Sequence, residues 1–209
     1  MNPTSQHNVI YVLWSGGMDS TYLIQHLLDA DQNNVIWSSY VDVYNNRQKA
    51  KIEKKAVKKM VPILRKKYGD RFHYTGASLK IDVNTVGDTL SLKQMPLWIT
   101  SIIYSITVRV NQIAVGYVMN DDAISYLDDF RKIIKAYESI SEREYPPVIF
   151  PLSKINKEYI IKTLDPQLRK HVVWCENPKR NGKACNICHS CKRHIDSIPT
   201  DAVTRDIIK

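Results

Sequence analysis

No cysteine occurs before position 175, glycine fills only 7 of 209 positions, and no apolar run approaches the ~18 residues that a membrane-spanning helix needs. The first absence excludes a disulfide framework spread along the chain. The last excludes a transmembrane span, and the opening MNPTSQHN has neither the basic segment nor the apolar stretch of a secretory signal. A cytoplasmic protein with no membrane partner is expected. Internal repeats and low-complexity tracts are also lacking, and with 44% hydrophobic residues the chain can bury one substantial core with a small appended module. Three common site motifs are missing too. There is no G-x-G-x-x-G dinucleotide fingerprint and no Gly-Lys-Ser/Thr of a Walker loop, and Leu13 stands where the first glycine of a G-x-S-x-G nucleophile elbow belongs.

What is present alternates. Val9 to Trp14 is an unbroken apolar run of the kind buried on both faces of a parallel sheet, and Thr21 to Leu28 carries apolar residues at helical spacing. VIWSSYVDV (35–43), FHYTGASL (72–79), QIAVGYV (112–118) and PVIFPL (147–152) read as further strands. Helices are expected from about Asn46 to Tyr68, from Trp98 to Val110 and from Asp128 to Ile140, with Pro62 ending or kinking the first of them. Strands and helices in this order imply an α/β fold with a parallel sheet, whose ligands sit beyond the carboxyl ends of the strands. We divide the chain into a main α/β domain, 1–165, and a small C-terminal segment, 166–209, packed on it.

The scarcity of glycine gives weight to SGGMDS, residues 15–20, where two glycines stand side by side between the first strand and the first helix. Without side chains there, backbone N–H groups can close on a phosphate at the positive end of a helix, and the hydroxyls of Ser15 and Ser20 add donors. The alternative is an ordinary strand-to-helix turn with Ser20 as N-cap.

All four cysteines lie between 175 and 191 with C-x9-C-x2-C-x2-C spacing. Cys175, Cys185, Cys188 and Cys191 are the expected ligands of one closed, structural Zn²⁺ site, since each close pair can wrap one face of a tetrahedral ion. Redox cysteines, or a site in which His189 or His194 replaces a thiolate, are the alternatives.

SGGMDS resembles the SGGxDS signature of the PP-loop family of ATP pyrophosphatases. With the C-terminal cysteine knuckle, nearly the whole chain is similar to the 7-cyano-7-deazaguanine synthases of the queuosine pathway, a branch of that family with a HUP-like nucleotide-binding domain. In AVGYVMNDDAISYLDDF (114–130) the positions Gly116, Asp121, Tyr126 and Asp128 match the family pattern, and PLSKINKEYII (151–161) and VVWCENP (172–178) look like its late segments. The resemblance implies that Ser15, Gly16, Gly17 and Ser20 hold ATP phosphates and that Asp19 orients the loop or approaches Mg²⁺. It implies that Asp121 and Tyr126 hold the base or assist proton transfer. The activity so implied is that of a carbon–nitrogen ligase. A 7-carboxy-7-deazaguanine-like carboxylate is adenylated and an amine displaces AMP to give an amide, which a second ATP can dehydrate to the nitrile. A homodimer is the expected assembly, and the amine donor is ammonia or a larger amine such as a protein amino group. VYNNRQKAKIE (43–53) and KQMPLWITS (93–101) depart from the family's Tyr-Gly-Gln and Pro-Gly-Arg-Asn segments, which leaves open whether the reaction stops at the amide.

Charge points elsewhere. The net charge is +9, and ten Lys and Arg lie between Arg47 and Lys67 with only Glu53 opposing them. A PP-loop tRNA-modifying enzyme would use such a helix to hold RNA. Ile52, Ala56, Met60, Ile63 and Leu64 nevertheless form one apolar stripe with the lysines filling the other positions, so a solvated helix face is the expectation.

Overall fold

Strand β1 (Asn8–Trp14) divides its side chains between two cores. Ile10, Val12 and Trp14 enter one cluster and Tyr11 and Leu13 the other, which is why the run is apolar without alternation. In the computed structural model, residues 7–43, 47–81, 95–105 and 109–197 are described. The chain continues through α1 (Met18–Ala30), β2 (Asn34–Val43), α2 (Arg47–Tyr68), β3 (Phe72–Ile81), α3 (Met95–Ser105), β4 (Gln112–Ala114), α4 (Leu127–Ser141) and β5 (Val148–Ile149). Short helices α5 (Lys157–Thr163), α6 (Pro166–Arg169) and α7 (His189–Asp196) follow.

The described strands form one five-stranded sheet in the order β3-β2-β1-β4-β5, every pair parallel. The expected α/β architecture is therefore present. Side chains of α1 and α2 pack with Leu152, Ile160, Leu164, Leu168 and Val172 on one face of the sheet. Those of α3 and α4 pack with Tyr145 and Phe150 on the other. The chain winds outward from β1 to β3, then crosses to β4 on the other flank, so the strand order reverses between β1 and β4. That gap, at the carboxyl ends, is where open α/β sheets bind ligands. Among the described residues no helix is long and apolar enough to cross a membrane.

Several elements differ from expectation. Pro62 neither ends nor divides α2, which runs on to Tyr68. A proline in a helix interior costs about 3 kcal/mol. The turn beyond it buries Leu64 and Tyr68 against the sheet, at about 1.5–3 kcal/mol per large apolar side chain, and Pro62 itself faces solvent. The third helix starts at Met95 rather than Trp98 and ends at Ser105, with 106–108 outside the described residues. The Asn46 start of α2, the whole Tyr-Asn-Asn turn at 44–46, and Lys93 and Gln94 also lie outside them. Strands β4 and β5 pair over three and two residues, shorter than the apolar runs that contain them. The Val115 amide still donates to the Ile149 carbonyl at 3.1 Å, and beyond it the chain passes the loop after β1, with Gly116 against Ser20.

Candidate functional site

The loop after β1 is shaped by its glycines. Gly16 has φ +73°, and a Cβ there would stand 3.0 Å from Val57 Cγ2 and 3.3 Å from the Glu53 carbonyl oxygen. A Cβ on Gly17 would meet Ser15 Oγ at 3.1 Å and the Val173 carbonyl at 3.3 Å. The serines close the loop on itself: Ser15 Oγ and Ser20 Oγ are 3.0 Å apart, and the Gly17 amide donates to Ser15 Oγ at 3.2 Å. Below them Trp14 Nε1 donates to Thr21 Oγ1 (2.9 Å) and the Thr21 hydroxyl donates to the Gly17 carbonyl (2.7 Å), fixing the strand against the helix. Gly17, not Ser20, is the N-cap of α1. Met18, Asp19 and Ser20 therefore occupy the first turn, where amides have no intrahelical acceptor and the helix dipole favours an anion.

Gly116, just past β4, forms the facing wall of the gap. A Cβ on it would lie 3.3 Å from both the amide nitrogen and Cα of Ser20, so the two backbones touch across the switch point. Asp121, four residues on from Tyr117, has its carboxylate committed twice, to the Val118 amide at 2.9 Å and to Arg193 at 3.0 Å. It does not cap α4. Tyr126 is 43% exposed on the 3₁₀ turn Ile124–Tyr126 that leads into α4, and Asp128 pairs with Arg131 on the outer surface at 2.9 Å. Of the three side chains read as reactive, Asp19 and Asp121 stand at the carboxyl edge.

A third wall comes from the C-terminal part of the chain. Lys157, first residue of α5, forms an ion pair with Asp19. The Val173 amide donates to the Gly16 carbonyl at 3.1 Å, tying the C-terminal segment to the loop itself. Trp174 stacks on His194 with ring centroids 4.1 Å apart and 21° between planes. His194 is buried, and burial first, with Lys157 adding to it and Asp19 opposing, draws its pKa down to about 4. Behind the loop, Glu53 accepts from Tyr40 Oη at 3.0 Å and lies 3.6 Å from Lys49, which also pairs with Glu176. Burial raises the Glu53 carboxyl to about 7. Burial works against the Lys49 charge as well, but Glu53 and Glu176 together outweigh it and leave its pKa raised.

The sequence reading missed Lys157, Arg193, Trp174 and the Glu53–Lys49–Glu176 chain. Lys157 and Trp174 lay inside segments singled out for other reasons, and a contact spanning more than a hundred residues leaves no local pattern.

The four cysteines converge. Sγ atoms of Cys175, Cys185, Cys188 and Cys191 all lie within 4.8 Å of one another, with Cys175 to Cys188 at 4.0 Å and Cys185 to Cys191 at 3.9 Å. A tetrahedral ion with about 2.3 Å metal–sulfur bonds needs sulfurs close to these separations. Amides of Cys188 and Ile187 donate to Cys185 Sγ at 3.3 and 3.5 Å. Those N–H groups, that of Ile187 first, lower the Cys185 thiol to about 6, toward the thiolate that binds a metal. His194 is not in the group, and His189 is exposed.

No family model matches the chain, and no curated protein does. Among solved structures it is similar to the U34-tRNA thiolase NcsA from Methanococcus maripaludis, described with its [4Fe-4S] cluster. The TM-score is 0.50 at 17% identity, over 97% of this chain and 68% of the thiolase chain. At that identity the likeness is one of fold alone: a parallel α/β sheet with helices on both faces.

Proposed function

We propose that the protein is an ATP-dependent ligase that cleaves ATP to AMP and pyrophosphate while activating a 7-carboxy-7-deazaguanine-like carboxylate. The observation that carries the reading is SGGMDS at the β1/β4 switch point, where glycine backbone, paired serine hydroxyls and the first turn of α1 lie together. In this reading the carboxylate attacks the α-phosphorus, and the loop amides stabilise the charge that accumulates on departing pyrophosphate. Lys157 supplies a cation at the same place. An amine then displaces AMP from the mixed anhydride to give an amide, and dehydration to the nitrile is the further step that a second ATP would drive. No protein nucleophile is required.

Asp19 is the carboxylate on the loop's helix suited to Mg²⁺, which when bound offsets phosphate charge. Asp121, held by Val118 and Arg193, positions the loop after β4 beneath the base rather than moving a proton, and Tyr126 is the remaining candidate for that role. The cysteine knuckle fits a single structural Zn²⁺, because four sulfurs within 4.8 Å surround one ion and leave no open position. A cubane cluster spreads its cysteine ligands over separate irons and needs them farther apart. We therefore read the knuckle as zinc-binding, although the structurally similar thiolase carries iron and sulfur. The assembly proposed is a cytoplasmic homodimer acting on a small base and an amine donor.

A second reading, RNA modification, draws on the exposed face of α2. Lys51, Lys55, Lys58 and Lys59 are solvent-facing, and among the described residues none of them has a carboxylate within 4 Å. The test for both is incubation with ATP, Mg²⁺, 7-carboxy-7-deazaguanine and ammonia, with and without tRNA, followed by mass spectrometry of nucleotide and base. AMP and an amide or nitrile without RNA support the first reading. AMP released only when tRNA is present supports the second.

A further inference from the structure

His194 is 3% exposed, yet among the described residues neither Nδ1 nor Nε2 has a hydrogen-bond partner. Both nitrogens of an imidazole are polar, and burying them without a partner is costly. The ring is not loosely placed. It lies flat against Trp174 at 4.1 Å, and its neighbour Arg193 is pinned to Asp121 at 3.0 Å, which fixes the first turns of α7 against the loop after β4. Trp174 directly follows Val173, whose amide donates to the Gly16 carbonyl at 3.1 Å, so the stacked pair stands beside the loop that carries the Lys157–Asp19 ion pair. Four cysteines already fill the tetrahedral set, so His194 is not needed as a metal ligand.

We propose that His194 is a ligand-contacting residue of the nucleotide crevice, carried there by the cysteine knuckle, whose imidazole donates a hydrogen bond to a phosphoryl oxygen of a bound nucleoside triphosphate. This rests on the nucleotide reading of the loop. In the free protein Asp19 supplies the negative partner of Lys157. In the complex a phosphate oxygen takes that place between Lys157 and His194, and the orphaned nitrogen gains its acceptor. The knuckle then has a role beyond stability, since it brings one wall of the site to the loop. A buried, rigidly stacked donor also costs little ordering on binding.

Binding of ATP with Mg²⁺, and of pyrophosphate alone, can be measured by calorimetry on the full chain for the wild type, Ser15→Ala, His194→Phe and His194→Gln. Phenylalanine keeps the stack on Trp174 and removes both nitrogens; glutamine restores a donor and an acceptor. His194→Phe is expected to weaken both ligands about tenfold or more, as loss of a hydrogen bond to a charged group does. Its melting temperature should stay level or rise, its zinc content should be unchanged, and His194→Gln should recover much of the affinity. Wild-type affinity in His194→Phe overturns the inference. So does a falling melting temperature alongside the weakened binding, with no rescue by glutamine, because that marks a packing role. If the wild type binds neither ligand, or Ser15→Ala binds both as well as the wild type, the nucleotide reading itself fails and this inference with it.

Discussion

The loop after β1 and the four-cysteine segment sit side by side but keep their shapes by different means. Residues 15–20 lie between a buried strand and a 13-residue helix, and hydrogen bonds among Ser15, Gly17, Ser20 and Thr21 shape them, joined by one from the Val173 amide to the Gly16 carbonyl. Residues 175–191 have no strand and only the first turn of α7, and around them the large side chain Ile187 is 76% exposed. A segment so poor in buried apolar surface offsets little of its own conformational entropy, so a metal held by its thiols is expected to add most to its order. The lesson is one of division: the shape of the loop is set by the elements around it, while the cysteine segment is expected to gain its order from a bound metal.

The largest effect expected is therefore at the knuckle. Structural zinc is worth about 10–16 kcal/mol in small domains that fold around it, and even a fraction of that exceeds what any single loop contact supplies. Cys188→Ser, or exhaustive chelation, should lower the melting temperature sharply and weaken ATP binding with it, because Val173, Glu176 and Arg193 connect the segment to Gly16, Lys49 and Asp121. Thermal melts with metal analysis check this. Full stability in a zinc-free protein would break the comparison.

Next is Glu53, on the loop's side. Its carboxyl is raised to about 7 by burial, above its unfolded value, so the native state holds a proton that the unfolded chain gives up. Stability from this group is unaffected below the unfolded pKa, falls as pH rises from about 4.5 to 7, and is then level. Glu53→Gln should remove that slope and gain up to about 3 kcal/mol at pH 8. Urea melts of both proteins at pH 5 and pH 8 measure it, and an undiminished slope in the variant would contradict it.

Gly16→Ala and Gly69→Ala sharpen the same comparison. Both glycines have positive φ, +73° and +58°, but only Gly16 has Val57 within 3.0 Å of the missing Cβ. Gly69→Ala should cost about 1 kcal/mol from backbone strain alone. Gly16→Ala should cost about 2–3 kcal/mol and most of the activity. Equal losses at the two sites would show that the loop is not tightly packed.

The smallest effect expected is on α2. Reversing Lys51, Lys55, Lys58 and Lys59 to Glu should leave turnover of a free base within about twofold, since exposed charges act weakly through screened solvent. Assays with and without added salt test it, and a large loss restricted to RNA-containing reactions would favour the second reading.

What could be read from the chain alone follows from the same division. SGGMDS, the strands around it and the cysteine spacing were legible because each is a local pattern with a local cause. The Lys157–Asp19, Arg193–Asp121 and Lys49–Glu176 pairs were not, being 138, 72 and 127 residues apart in sequence. His194 was noticed only as a substitute zinc ligand, because a histidine three residues past a cysteine carries no sign of which way it will face. That Pro62 would not end α2 was hidden for a related reason: its local penalty is visible, and the burial beyond it that outweighs the penalty is not.

The central claim concerns which phosphate bond breaks. Purified, zinc-loaded protein should be mixed with ATP labelled at the α and γ phosphates, Mg²⁺, 7-carboxy-7-deazaguanine and ammonia, and the products separated. The account predicts AMP and pyrophosphate in equal amounts, dependent on the carboxylate and lost in Ser15→Ala. ADP with inorganic phosphate, or no cleavage in a protein that is folded and metal-loaded, would contradict it.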